Sequence, residues 1–315
     1  MENKNGKDPG AAREAGPSAC DACGNKECSA ASRRGGENDQ EFAERRRLES
    51  RLCRIRRKIV VLSGKGGVGK STVAVNVAAA LQAAGRRVGL LDVDIHGPSI
   101  PTMLGLEGMT LDSGPDGLLP ADAGGIAVMS LGFLLPHPDE AVIWRGPLKM
   151  GAIKQFLMDV AWGDLDWLVI DSPPGTGDEP LSVCQLIPGI TGAVIVTTPQ
   201  KVAAVDVRKS ITFCRRLGVP VLGVVENMSG FACPKCGEIS DVFSSGGGRR
   251  IAEDMKGPFL GAVPIDPAIA AAGDDGRPYV RAFAASPTAA ILRGIIAPLL
   301  ALEAEEKGSA AHPRP

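Results

Sequence analysis

One junction constrains the fold more than any other feature. The apolar run KIVVLS (58–63) passes into Gly64-Lys65-Gly66-Gly67-Val68-Gly69-Lys70-Ser71-Thr72, and KSTVAVNVAAALQAAG follows as a helical pattern stopped by Gly85. A buried strand, a G-x-x-x-x-G-K-[ST] loop and a helix, in that order, form the context in which this spacing cradles phosphate. Glycines let backbone N–H groups turn toward an anion, and the helix N-terminus adds its dipole. Lys70 is suited to the β- and γ-phosphates of a nucleotide, and the Ser71 hydroxyl to Mg²⁺.

Further short apolar runs follow at 88–94, 167–171, 193–198, 219–227 and 258–264, with helical patterns at 147–160, 178–186, 201–217, 247–255 and about 287–305. Continuous rather than alternating hydrophobicity marks strands covered on both faces. The expected fold is therefore α/β, a mostly parallel sheet with helices on both sides. The Gly-rich segment 105–143 is less regular and reads as a hairpin insertion. Residues 1–47 contain no Val, Ile or Leu and read as a mobile tail. Residues 48–306 read as one phosphate-loop domain and 307–315 as a polar tail. Between Glu41 and Lys58, Leu48, Leu52 and Ile55 recur at helical spacing, which predicts a short basic helix leading into the domain.

Composition excludes several classes. Lys plus Arg number 35 against 36 Asp plus Glu, for a net charge of −1, and only 4% of residues are aromatic. Neither a general polyanion binder nor a stacking surface for single strands is expected, so no nucleic-acid partner is expected. No uninterrupted apolar run reaches the ~18 residues of a membrane span, and the first residues carry no secretory h-region. A cytoplasmic protein without a membrane partner is the expectation.

Acidic residues fall where strand ends should meet the phosphates. Asp92 and Asp94 close one strand, and Asp171 closes another before Ser172-Pro173-Pro174-Gly175-Thr176-Gly177-Asp178. Asp171 is suited to hold Mg²⁺ through a water, and Asp94 to orient an attacking water. Asn227, ending VPVLGVVEN, offers an amide to an adenine edge.

Eight cysteines, with no secretory signal read at the start, do not read as a disulfide framework. Cys53, Cys184 and Cys214 stand alone and read as small hydrophobes. Cys233-Pro234-Lys235-Cys236 places two thiols on one tight turn. Two ligands are half of what zinc or an iron–sulfur cluster takes, and a homodimer supplies the other half. Spacing alone leaves a shared cluster, zinc bound the same way, half of a zinc ribbon, a redox pair and a structural turn all open. Cys20, Cys23 and Cys28 lie in the tail, where no core exists to bury them, and form a candidate second metal or cluster site.

With these pieces assembled, the chain resembles the Mrp/ApbC-type iron–sulfur cluster carrier ATPases, including the cytosolic scaffold members with cysteine-bearing N-termini. The resemblance covers roughly residues 55–300 and rests on GKGGVGKST (64–72), LLDVDIHGPSIP (90–101), WRGP (144–147), IDSPPGTGDEPL (170–181), TTPQKVAAVDV (197–207) and VVENMSGFACPKCG (224–237). It implies a nitrogenase-iron-protein type of phosphate-loop fold, ATP with Mg²⁺, and slow hydrolysis. It also implies a [4Fe–4S] cluster on Cys233 and Cys236 bridging a homodimer, with transfer to apo iron–sulfur proteins. Lys65 matches the extra lysine of deviant phosphate loops, which the resemblance implies reaches the partner's nucleotide. A related scaffold ATPase is a further implied partner. The long-tailed members have four N-terminal cysteines, one upstream of C-x2-C-x5-C; here residues 1–19 contain none and the last spacing is four, so a tail cluster needs Cys53 or an external ligand. His96 stands where the family often has Tyr, and reads as an aromatic-sized spacer. Two other readings compete: a partition or positioning ATPase of the same superfamily, and an electron-passing reductase. Membrane-bound positioning ATPases end in a basic amphipathic helix, whereas this chain ends ALEAEEKGSAAHPRP.

Overall fold

The computed structural model describes residues 32–94, 97–134, 146–233, 235–236, 238–242 and 244–310. Elements are numbered in chain order among these residues. The strands are β1 (Ile55–Leu62), β2 (Val88–Asp92), β3 (Ser113–Gly114), β4 (Gly117–Leu118), β5 (Ala121–Asp122), β6 (Ile126–Ser130), β7 (Leu165–Asp171), β8 (Gly192–Thr197), β9 (Val221–Ala232), β10 (Ile239–Ser240) and β11 (Phe259–Ile265). The helices are α1 (Asp39–Leu52), α2 (Lys70–Ala83), α3 (Ile100–Met103), α4 (Gly146–Asp159), α5 (Asp178–Leu186), α6 (Lys201–Arg216), α7 (Gly247–Asp254), α8 (Pro267–Asp274), α9 (Tyr279–Ala282) and α10 (Pro287–Ala310).

Nine strands form one sheet in the order β10-β9-β8-β1-β7-β2-β6-β5, with β11 also paired to β9. Only β5 and β10 join it antiparallel. The pleat of β1 divides the core. Ile59 and Val61 pack toward α2 and α10, whereas Val60 and Leu62 pack toward α1, α4 and α5. Burial on both faces is why these strands read as unbroken apolar runs.

Two expectations are corrected. Segment 105–143 does contain a small hairpin, β3–β4, but it also contributes β6, a full parallel partner of β2. Its apolar run at 126–129 was visible but sat among glycines. The basic helix begins at Asp39, inside the stretch read as tail, with a capping box between Asn38 and Glu41. It stops at Leu52, because Ile55 already pairs with Leu165 in β1. Helix α10 includes a window, Pro287–Ala304, long and apolar enough by composition to cross a membrane. Here Ala289, Leu292, Ile295, Ile296 and Leu299 bury its inner face in the core, and Glu303 binds Arg86 and Trp167.

Candidate nucleotide and thiol site

The parallel strands end together, and β1, β2 and β7 deliver the site. Asp92 lies opposite Asp171 in the β2–β7 ladder, and Asp171 opposite Val61 of β1. The phosphate loop leaves β1 at the same end. Its last residue, Gly69, sits at φ +79° as the N-cap of α2, with no side chain capping the helix. First-turn N–H groups therefore face outward toward the loop's hollow. Gly64 packs closely on α6, where an added Cβ would lie 2.4 Å from the Asp206 Cβ.

Lys70 Nζ donates to Asp171 Oδ1 at 2.6 Å and lies 3.8 Å from Asp94 Oδ2. Ser71 Oγ donates to the other Asp171 oxygen at 2.5 Å. A hydroxyl and a carboxylate so placed fit Mg²⁺, which binds through one or two carboxylates while phosphates and waters complete its shell. Among the described residues no group of three or more His, Cys, Asp or Glu is arranged for a metal ion.

Asp92 is completely buried, accepting from Ser130 Oγ at 2.9 Å and from the Asp94 N–H at 3.1 Å. Burial, reinforced by the Asp171 carboxylate, pushes its carboxyl up to about 8. Burial also raises Asp171, against the opposing pull of Lys70 and Ser71. Asp92 thus holds Asp94 by the backbone, and Ser130, at the end of the unforeseen β6, holds Asp92.

Beside the loop lies a cavity of about 520 Å³ whose wall includes Thr72, Asn76, Asn227, Asp266 and Tyr279. Asn227 Nδ2 donates to the Val68 carbonyl at 2.9 Å, tying β9 to the phosphate loop. Asp266 caps α8 through Ala268 N–H at 2.9 Å and accepts from Tyr279 Oη at 2.5 Å. The sequence reading missed this C-terminal wall, although Asp266-Pro267 carries an ordinary helix-start signal.

Strand β9 runs on from Asn227 to the cysteine turn. Cys233 N–H donates to the Glu238 carbonyl at 2.9 Å, closing the turn. Hydrogen bonds from the Cys236 and Lys235 N–H groups and from the Cys236 thiol hold the Cys233 thiol below its usual range. Cys233 is half-buried and Cys236 exposed. Burial pushes Cys184 up to about 11 and Cys214 up to about 12, as inert packing groups. Cys53 is exposed, contrary to the buried role expected of it. Lys65 is half-buried in the loop. Cys20, Cys23, Cys28, His96, Trp144 and Arg145 lie outside the described residues.

A phosphate loop at the end of a parallel sheet, with a lysine and a serine meeting a strand-end aspartate, defines a P-loop NTPase. More narrowly, residues 54–300 match the family described as ParA: NUBPL iron-transfer P-loop NTPase, and the chain belongs to it. A relative from Trichoplax adhaerens, named cytosolic Fe-S cluster assembly factor NUBP2 homolog, is 51% identical over 252 residues, 78% of this chain and 95% of that protein. An iron-sulfur cluster carrier protein from Methanocaldococcus jannaschii is 53% identical over 235 residues, 74% of this chain and 81% of its own. Among solved structures, a nucleotide-binding protein from Archaeoglobus fulgidus in complex with ADP aligns with a TM-score of 0.67 at 44% identity, covering 74% of this chain and 92% of that one. The cell division ATPase MinD of Pyrococcus furiosus shares the fold at 24% identity and a TM-score of 0.58, covering 79% of this chain and 100% of its own.

Proposed function

We propose that the chain is an ATP-dependent iron–sulfur cluster carrier of the cytoplasm. In this reading it binds a [4Fe–4S] cluster between two copies of itself and passes it to apo-proteins. The observation that carries the reading is the Cys233 turn: a thiol held below its usual range by neighbouring N–H donors, with Cys236 on the same turn, stands at the end of the strand that also lines the nucleotide cavity. The relatives named as cluster carriers and assembly factors support it.

In this account the cavity takes the adenosine, with Asn227 at the base edge, and Gly64 to Thr72 wrap the phosphates. Lys70 neutralises the β- and γ-phosphates. Ser71 and Asp171 hold Mg²⁺, which supplies charge stabilisation to the transferring phosphoryl group. Asp94, fixed through its backbone by Asp92, orients the attacking water. Lys65 reaches the nucleotide of a second copy. Hydrolysis is slow and coupled to loading or release. Two thiolates from each copy complete four ligands around one cluster, and the tail cysteines Cys20, Cys23 and Cys28, with Cys53 or an external ligand as the fourth, form a second cluster site.

The test is iron and acid-labile sulfide per chain after anaerobic reconstitution, for wild type and a Cys233→Ala/Cys236→Ala variant. The reading expects the variant to lose about two irons per chain, half of a shared cluster. Wild type that binds no iron, or a variant that loses none, would end it.

A further inference from the structure

Strand β9 changes character at Glu226. Up to this residue it is held in the ladder with β8, and Thr197↔Glu226 is the last pair. Its ladder with β11 also breaks register between Asn227 and Phe231. Met228, inside that break, takes φ +57°. The stretch from the nucleotide cavity to the cysteine turn is therefore an arm that the β8 ladder no longer steadies.

Glu226 fixes the root of that arm. Its side chain is wholly buried, and its carboxylate collects three donors from two parts of the chain. Oε1 accepts from Ser229 Oγ at 2.5 Å, on the arm itself, and from the Gly246 N–H at 2.9 Å. Oε2 accepts from the Gly248 N–H. The last two donors open α7, where a negative group also suits the helix dipole. The next residue, Asn227, bonds the phosphate loop at Val68. Between Asn227 and Cys233 lie six residue steps, at most about 20 Å of extended chain.

We propose that Glu226 is a positioning residue that links the nucleotide pocket to the cysteine turn. It clamps the arm at Ser229, so that a shift of Asn227 on nucleotide binding moves Cys233 instead of dissipating in the bulge. The inference deepens the carrier reading and rests on it only for what the turn holds; the linkage itself concerns residues of this chain.

The experiment uses the full-length apo-protein with Mg²⁺ and a non-hydrolysable ATP analogue. Alkylation by iodoacetamide is followed at each cysteine by mass spectrometry. In wild type, nucleotide should change the Cys233 rate by roughly fivefold, the lower end of ordinary coupling between sites. Glu226→Gln sets an amide N–H against a backbone N–H donor. It should abolish the nucleotide effect while the analogue's affinity stays within about twofold of wild type. Cys184 and Cys214 report whether the core stays closed. If Glu226→Gln opens them, Ser229→Ala decides, because it removes only the clamp on the arm; it too should flatten the response. A wild-type rate indifferent to nucleotide, or a full response in Ser229→Ala or in a folded Glu226→Gln, overturns the proposal. Iron content of reconstituted wild type judges the carrier reading separately. Nucleotide-sensitive Cys233 in a chain that loads no iron would leave the linkage standing and remove the carrier. Iron loading with an insensitive Cys233 would do the reverse.

Discussion

At Gly69 the backbone is left-handed and the Asn227 amide nitrogen stands 2.1 Å from where a Cβ would project. Gly69→Ala meets both the conformational cost, about 1–2 kcal/mol, and that close contact. We predict a lowered melting temperature and at least about tenfold weaker nucleotide binding, measurable by calorimetry; unchanged affinity would mean the loop relaxes freely. At Cys233 the sign is opposite to that at half-buried Cys184 and buried Cys214. Its thiol is held down by neighbouring N–H donors, whereas burial raises Cys184 to about 11 and Cys214 to about 12. The alkylation rate of Cys233 should therefore reach half its maximum at a pH below that of an ordinary cysteine. Cys184 and Cys214 should stay slow through neutral pH. Residue-resolved rates against pH check this, and equal midpoints would contradict it. The loop residues, Asp94, Asp171, Asn227, Cys233 and Cys236 were legible because each sits at a strand end or in a fixed local spacing. Ser130, Glu226, Asp266 and Tyr279 were not, since their roles arise only when distant elements pack together.

Among the elements, α1 was legible in kind and misplaced in extent. Apolar spacing locates its buried face, but its start is set by the Asn38–Glu41 capping box, in a stretch without Val, Ile or Leu. Polar contacts secure it: Arg45 binds Glu37 at 2.7 Å and Glu49 at 3.4 Å. The Arg45 hydrogen bond holds the Glu37 carboxyl down at about 2, from an ordinary 4.5. A depressed carboxyl stabilises the folded state fully above its unfolded value and loses that contribution as pH falls toward the folded one. The Glu37–Arg45 contact that fastens the chain before α1 onto the helix should thus weaken as pH falls from about 4.5 to about 2. Over that window Glu37→Gln should show a shallower decline in melting temperature than wild type, and parallel declines would contradict the assignment. Strand β6 shows the other limit of sequence reading. Its first four residues are apolar, but flanking glycines and polar turns hide a core strand until β2 is seen to pair with it.

For the molecule as a whole, the sheet gathers three aspartates, the phosphate loop and the cysteine arm at related edges, and the alternation of apolar runs with helical patterns made that architecture readable in advance. What one chain does not complete is the thiol site: Cys233 and Cys236 supply two ligands where a cluster takes four. A second copy of the chain is the account's answer, and it fixes stoichiometry as well as mass. The decisive measurement is the sedimentation mass of the anaerobically reconstituted protein, read together with iron and sulfide in the same fraction. The account predicts two chains with about four irons bridging Cys233 and Cys236, any tail-cysteine iron persisting in the Cys233→Ala/Cys236→Ala variant. It also predicts that this species disappears in that variant. A monomer that carries a complete cluster, or a dimer whose iron is unaffected by loss of both thiols, would contradict it.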